Sequence, residues 1–111
     1  MTMTEKIPIR GLAKDISSMD TDITIYERTS GRKLYITKIV ATNQNTGVDA
    51  TLDLYDGDSS DGRKLLTIIV PAGQTKEVDK LDDSVYCEYG DLKGRVNTTG
   101  TVTVTPIGYE Q

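Results

Sequence analysis

The sequence predicts an all-β protein folded as an antiparallel β-sandwich, and three observations support this prediction. Apolar and polar residues alternate along several segments, which is the pattern of strands with one buried and one solvated face. Residues that favour turns recur between these segments at short intervals. No segment shows the 3.6-residue apolar period of an amphipathic helix. A chain of 111 residues has the usual length of one domain with a single core.

The clearest strands are those with strict alternation. Residues 101–105 read TVTVT and place two valines on one face and three threonines on the other. Residues 50–56, ATLDLYD, and residues 22–27, DITIYE, follow the same rule with leucine and isoleucine. About eight strands suffice for two four-stranded sheets. The pattern predicts strands at residues 7–10, 12–18, 22–28, 33–43, 50–56, 64–70, 75–79, 84–88, 92–97 and 101–107.

Three of these segments need a further argument. Residues 12–19, LAKDISSM, also fit a short helical turn, and we favour a strand or an extended arm. Residues 33–42, KLYITKIVAT, and residues 64–70, KLLTIIV, carry apolar side chains on both faces. Strands covered on both faces have this composition, so both are predicted as central strands. Lys38 interrupts the alternation of the first of them, which predicts a β-bulge nearby.

The chain is predicted to hold a polar N-terminal arm at residues 1–10 and one sandwich domain at residues 11–111. The start, MTMTEKIPIR, has neither the charged region nor the apolar region of a signal peptide. No apolar run approaches the roughly 20 residues that cross a bilayer. We therefore expect a protein made in a cytoplasm, with no membrane partner.

Composition argues against several functions. Asp and Glu number 17 against 13 Lys and Arg, and the charges are mixed along the chain, which disfavours a nucleic-acid partner. Histidine is absent, which removes Ser-His-Asp catalysis and imidazole zinc sites. The single cysteine, Cys87, cannot form an intrachain disulfide, and in SVYCEY it shares the parity of Val85, which predicts a buried thiol. We expect a protein that is not an enzyme and needs no cofactor.

The acidic stretch LDLYDGDSSDGRKL, residues 52–65, raises the question of a calcium site. A calcium loop of the EF-hand type needs glycine at its sixth position and a bidentate Glu at its twelfth. Counting from Asp56, those positions are Asp61 and Thr67, and Gly62 comes one residue late. We therefore favour a β-hairpin whose tip is this stretch, with Leu52 and Leu54 facing Leu66 and Ile68. Weak divalent-ion binding at the tip stays the alternative, and its candidate ligands are Asp56, Asp58 and Asp61.

The positions of three tyrosines are the feature of the sequence that indicates a binding partner. Tyr26, Tyr35 and Tyr55 fall on the parity opposite to neighbouring Ile or Leu, so their side chains are expected on outer faces. Tyrosine offers a large contact area at low entropic cost and is enriched at interfaces. These three residues are the predicted partner-binding residues. The alternative is that each covers the core with its hydroxyl in water.

The segment from Ile36 to Gln111, roughly the last two thirds of the chain, resembles a group of viral proteins. A strand ending in Asn43, a strand ending in LYDG, the segment LLTIIVPAGQT and the closing strand GTVTVTPIGYE are similar to small jelly-roll or Ig-like β-sandwich proteins of the virions of tailed bacteriophages and archaeal viruses. The resemblance implies a jelly-roll-like, non-enzymatic capsid decoration, neck or tail accessory protein. It also implies synthesis in the host cytoplasm and a final location in the virion. Its partners would be its own copies, with a trimer favoured, and other virion proteins such as the major capsid protein.

A second function stays open on the same fold. A carbohydrate- or ligand-binding module would need a tyrosine-lined groove and could be stabilised by calcium at the acidic loop. The lack of tryptophan counts against it. A small enzyme is the least favoured possibility, because it would have to work with carboxylates, Lys or Tyr alone.

Overall fold

The computed structural model describes residues 5–9, 11–17, 21–81, 84–97 and 100–111. Within these ranges it contains strands and one short 3-10 turn, Ser59–Asp61, and no α-helix. Every segment that the sequence predicts as a strand has a counterpart, and the ends differ by a few residues. The strands are β1 (Ile7–Pro8), β2 (Lys14–Ile16), β3 (Ile23–Tyr26), β4 (Leu34–Asn43), β5 (Ala50–Asp56), β6 (Lys64–Val70), β7 (Thr75–Val78), β8 (Tyr86–Cys87), β9 (Leu92–Val96) and β10 (Val102–Glu110).

The strands form two antiparallel sheets packed face to face. In the first sheet β10 and β4 are central; β1 and β2 both pair with β10, while β7 and β8 both pair with β4. The second sheet has the order β3-β9-β5-β6. If β1/β2 and β7/β8 are each taken as one interrupted strand, the sandwich has two four-stranded sheets. This order is that of a jelly roll, in which eight strands form two Greek keys, and it confirms the predicted sandwich.

The core lies between the sheets and follows the predicted alternation. Val102 and Val104 are buried, while the threonines between and beside them face outward. Leu52 and Leu54 are buried opposite Ile68 and Leu66 of β6, in the predicted register. Burial of such side chains contributes about 2 kcal/mol each and is the main stabilising term of the fold.

The two strands predicted as central have different positions. β4 lies between β10 and the β7/β8 pair, which confirms the prediction. β6 is the outermost strand of the second sheet, so the prediction for it is wrong. Periodicity reports which faces of a strand are apolar, whereas backbone pairing decides whether the strand is central. The predicted bulge is present: Ile107 pairs with Lys38 and Gly108 with Ile36, which leaves Thr37 as an extra residue on β4.

Part of the predicted N-terminal arm pairs with the first sheet. Ile7 pairs with Glu110 and Pro8 with Tyr109 at the sheet edge, and Ile9 packs against the core. Proline is tolerated there because an edge strand has a free side for the missing N–H. Residues 1–4 and 10 of the predicted arm lie outside the described residues.

Candidate functional site

Three tyrosines form a continuous row on the outer face of the first sheet, which we call the tyrosine row: Tyr35, Tyr86 and Tyr109. Backbone register places Tyr109 of β10 opposite Tyr35 of β4, and Tyr35 opposite Tyr86 of β8. Tyr35 points outward because its neighbours Leu34 and Ile36 are buried. The rings of Tyr35 and Tyr109 stack with centroids 5.0 Å apart, and those of Tyr35 and Tyr86 are tilted at 5.5 Å. The row is therefore ordered by its own contacts.

Cations flank both ends of the tyrosine row. Lys6 Nζ lies 4.8 Å from the Tyr109 ring centroid, and Lys33 Nζ lies 5.1 Å from that of Tyr86. Both distances fall within the range of cation–π attraction. Ile107, the next outward residue of β10, is 43% exposed. This half of the sheet thus offers aromatic, apolar and cationic groups on its outer face.

The other half of the same face is rich in threonine. The hydroxyls of Thr42 and Thr75 are 2.8 Å apart across β4 and β7. Thr103 of β10 donates to Asp15 Oδ1 of β2 at 2.7 Å. These cross-strand contacts leave a polar surface beside the tyrosine row.

The structure does not bring together the three tyrosines that the sequence singled out. Tyr35 belongs to the tyrosine row. Tyr55 lies on the outer face of the second sheet, on the opposite side of the molecule, where Lys64 Nζ is 5.9 Å from its ring centroid.

A β-bulge in β3 turns the side chain of Tyr26 toward the core. The register shift between Thr24 and Tyr26 places Tyr26 opposite buried Leu92, so its ring packs against the core. Its hydroxyl donates to Glu110 Oε1 at 3.4 Å. Burial raises the pKa of the Tyr26 hydroxyl, and the negative charge of Glu110 adds to the shift. Tyr26 therefore links the two sheets from inside.

Sequence reasoning missed Tyr86 and Tyr109 as members of an aromatic cluster. Both are visible as tyrosines near strand ends, but their meeting with Tyr35 depends on the register between strands far apart in the chain. The signal that would have found them is the pairing of β10 with β4, which single-strand periodicity does not contain.

The acidic stretch is the tip of the β5–β6 hairpin, as predicted. The turn Ser59–Asp61 ends at Gly62, whose φ of 75° lies in the left-handed region. Glycine reaches that region without steric cost, which explains its position one residue after the place that a calcium loop requires.

Asp56 is a buried carboxylate that binds backbone amides. It is 4% exposed, and its oxygens accept hydrogen bonds from the N–H groups of Glu88, Tyr89 and Gly90 at 2.8–3.2 Å. A Cβ on Gly90 would lie 2.6 Å from the Cα of Gly57, so these two backbones touch. Asp56 thus ties the hairpin to the loop at residues 88–91.

The other two candidate ligands are paired with cations. Asp58 Oδ1 accepts from Lys93 Nζ at 2.7 Å, and Asp61 Oδ2 lies 3.4 Å from Arg63 Nη2. Hydrogen bonding to Asp58 is the main cause that raises the pKa of Lys93. Among the described residues no three His, Cys, Asp or Glu side chains are grouped in a way that could hold a metal ion.

A shallow polar pocket of about 370 Å³ lies beside this hairpin tip. Tyr89 borders it and is 68% exposed, with the Arg63 guanidinium carbon 4.8 Å from its ring centroid. Charged side chains of both signs complete its wall, so it could accommodate a polar molecule. Those side chains are Arg28, Lys93, Asp58, Asp61 and Asp91.

Cys87 is buried in the core, as predicted. Burial raises the pKa of its thiol to about 12, and the charge of Asp56 adds to the shift. A thiol with this pKa stays protonated at neutral pH, so Cys87 behaves as a small apolar side chain.

No model of a known protein family matches the chain, and no curated protein sequence shows significant similarity to it. In the part of the chain that the structure describes, no helix has the length and hydropathy of a membrane span.

Proposed function

We propose that this chain is a non-enzymatic structural protein of a virion, either a capsid decoration protein or a head–tail accessory subunit. It acts by protein–protein contacts with its own copies and with other virion proteins such as the major capsid protein. It is made in the host cytoplasm and is then incorporated into the particle.

The observation that carries the proposal is the tyrosine row. The stacked tyrosines and exposed Ile107 give this sheet face the aromatic and apolar content that protein interfaces favour, and the two lysines lie at its ends. Small-molecule sites are instead concave and bury most of their ligand. An outer sheet face suits a protein partner better than a small ligand.

Two further observations support the assignment to a virion. The jelly-roll strand order is one that viral capsid domains use, although lectins use it as well. The segments LLTIIVPAGQT and GTVTVTPIGYE, which carry the resemblance to virion proteins, form β6, the following turn and β10.

The test is binding to capsids. Genes for a portal protein, terminase or major capsid protein are expected beside the gene for this chain. Capsids assembled from that major capsid protein should co-sediment with the purified chain. A Tyr35→Ser, Tyr109→Ser double variant should weaken binding about tenfold or more, whereas Tyr55→Ser on the opposite sheet should bind as the native chain does.

The proposal fails if the native chain ignores the capsids, or if the gene has no virion genes around it. If binding occurs but the double variant is unaffected, the tyrosine row is not the contact surface. Circular dichroism of each variant confirms that the sandwich is retained.

A second function, a carbohydrate- or ligand-binding module, is favoured by the pocket at the hairpin tip. Exposed Tyr89 provides an aromatic platform next to charged hydrogen-bonding groups, which is an arrangement that can hold a sugar. Calorimetry with a glycan panel, with and without calcium, tests this function. Binding heat that the native chain shows and the Tyr89→Ala variant lacks would favour the ligand-binding function over the virion role. The absence of binding heat both with and without calcium would exclude the ligand-binding function.

A further inference from the structure

β6 is an edge strand with the composition of a central strand. Its neighbour on one side is β5, and no described strand pairs with its other side. Val70 and Ile68 face the core, and Leu66 packs against it, while Ile69 points outward and is 62% exposed. The run from Leu66 to Val70 carries no charge and no proline.

The other edges of the sandwich are protected against pairing, whereas β6 has such protection only at its first residues. The β1/β2 edge is interrupted and contains Pro8, and the β7/β8 edge is interrupted and carries Lys76 and Glu77. β3 is four residues long and bulged. Natural proteins use such interruptions, charges and bulges to keep edges from joining other chains. β6 has a lysine and a bulge at its first residues, followed by five regular apolar or hydroxyl residues.

The charges at the two ends of β6 indicate what covers this edge. Lys64 is exposed at the N-terminal end of β6, where its Nζ lies 3.5 Å from Asp53 Oδ1 of β5. Asp49, the residue before β5, is exposed beside the C-terminal end of β6, where its Oδ1 accepts from the Ala72 amide at 2.9 Å. When two copies of β6 run antiparallel, the basic end of each meets the acidic end of the other. A second copy of the same chain therefore complements this edge in both backbone hydrogen bonding and charge.

We infer that β6 pairs antiparallel with β6 of a second copy about a two-fold axis, which joins the two second sheets into one continuous sheet. In any register that keeps the faces aligned, core-side residues of one copy meet core-side residues of the other, and Ile69 lies beside the outward side chains of the partner strand. Two-fold contacts of one patch with itself are the commonest interfaces of homo-oligomers.

Pairing through β6 specifies how copies of this chain bind each other. It rests on the proposed function only because that function requires the copies to associate. A two-fold contact alone gives a dimer. The trimer that the resemblance implies would need a second contact elsewhere on the chain, and the two contacts together would give a hexamer.

The first test measures association of the purified native chain by sedimentation over a wide concentration series. An assembly with an even number of copies is expected. Ile69→Lys places a charge on the exposed side of β6 and should weaken the dimer contact about tenfold or more. Leu12→Lys is the matched control: Leu12 is 70% exposed at the opposite edge, and its replacement should leave association unchanged.

The second test is a charge exchange between Lys64 and Asp49. Lys64 and Asp49 lie roughly 20 Å apart, at opposite ends of the paired strands β5 and β6, so any coupling between them arises across two copies. Lys64→Glu and Asp49→Lys should each weaken association several-fold, and the double variant should restore it. Circular dichroism checks that each variant is folded.

The outcomes separate this inference from the proposed function. A native chain that stays monomeric, an Ile69→Lys variant that associates like the native chain, or a double variant without recovery overturns β6 pairing. None of these results affects capsid binding through the tyrosine row. Conversely, an Ile69-dependent dimer that ignores capsids keeps the pairing and removes the virion role.

Discussion

At the scale of single residues, Asp56 shows how one side chain can fix a whole loop. Three part-buried backbone amides donate to its carboxylate, and Asp56 itself is buried. Leaving a buried donor unpaired costs about 1–3 kcal/mol. Removing the Asp56 carboxylate should therefore cost more than the net stabilisation of its hydrogen bonds, which is about 1 kcal/mol each. The carboxylate that looked like a metal ligand in the sequence is thus occupied by the protein's own backbone.

Asp56→Ala is expected to lower the free energy of unfolding by about 3 kcal/mol, because it leaves these amides without an acceptor. Urea unfolding followed by circular dichroism measures the change. Asp61→Ala is the control, because Asp61 is exposed and its ion pair with Arg63 contributes about 0.5 kcal/mol or less. Equal effects of the two substitutions would contradict the structural role of Asp56.

Asp22 gives the sandwich a dependence on acid pH. Burial alone would raise its pKa, but the hydrogen bonds from the Ser59 amide and from Arg95 outweigh this effect and lower the pKa below its usual value of 3.8. A group whose pKa is lowered by folding stabilises the fold above its unfolded pKa. That contribution is lost as the pH falls through the folded pKa.

Asp22→Asn should therefore destabilise the protein by about 1 kcal/mol at neutral pH, since it removes a charge-assisted hydrogen bond. The difference from the native chain should shrink as the pH drops below the usual pKa of the carboxyl. Urea unfolding at a series of pH values measures both effects. A difference that stays constant down to the most acid pH would contradict the assignment.

At the scale of elements, the β4–β10 pair sets the geometry of the first sheet. The extra residue Thr37 on β4 bulges opposite Ile107 and Gly108 of β10. There the strands approach so closely that a Cβ on Gly108 would lie 1.9 Å from the Tyr35 carbonyl oxygen. Glycine is required at this position because no side chain fits, and the bulge keeps Tyr35 and Tyr109 in register for stacking.

Gly108→Ala should lower the free energy of unfolding by about 3 kcal/mol, because the new methyl group forces the central strands apart. Urea unfolding measures the loss, and tyrosine near-ultraviolet circular dichroism should report a disturbed tyrosine row. Gly47→Ala is the control: a Cβ there has only Asn45 Oδ1 within 4 Å, at 3.6 Å. A Gly108→Ala variant as stable as Gly47→Ala would show that the strands are not so close.

At the scale of the whole molecule, the two sheets share one hydrophobic core and are linked by hydrogen bonds at one end. Glu110 of the first sheet is 6% exposed and accepts from the Thr29 amide at 2.7 Å and from Tyr26 of the second sheet. Arg28 donates to the carbonyl oxygens of Gly90 and Arg32 at 3.0 and 2.6 Å. Because every strand depends on the same core, the sandwich should unfold as one unit.

Cys87 provides a probe of this cooperativity, since its thiol is buried in the core and protonated. A thiol reagent at mildly alkaline pH should leave the native chain unlabelled and modify it only on unfolding. The urea midpoint of labelling should coincide with the midpoint seen by far-ultraviolet circular dichroism. Labelling at clearly lower urea concentration would mean that the β4–β8 region opens separately.

The sequence by itself determined the fold class, the existence of the strands, the burial of Cys87 and the bulge near Lys38. These are local properties: the alternation of Val102 and Val104 with threonine, or its interruption by Lys38, is contained in a few consecutive residues. Burial of one strand face follows from that alternation whatever the strand pairs with.

The tertiary structure alone decided which strands are neighbours, and with them the candidate contact surfaces. The tyrosine row forms because β10 and β8 both flank β4. The Asp56 carboxylate accepts backbone hydrogen bonds because residues 88–90 pack against it. The pairing of distant strands also explains why β6 lies at an edge although it has the composition of a central strand. Pairing between distant strands is settled by the packing of the whole core, and no single segment of the chain encodes it.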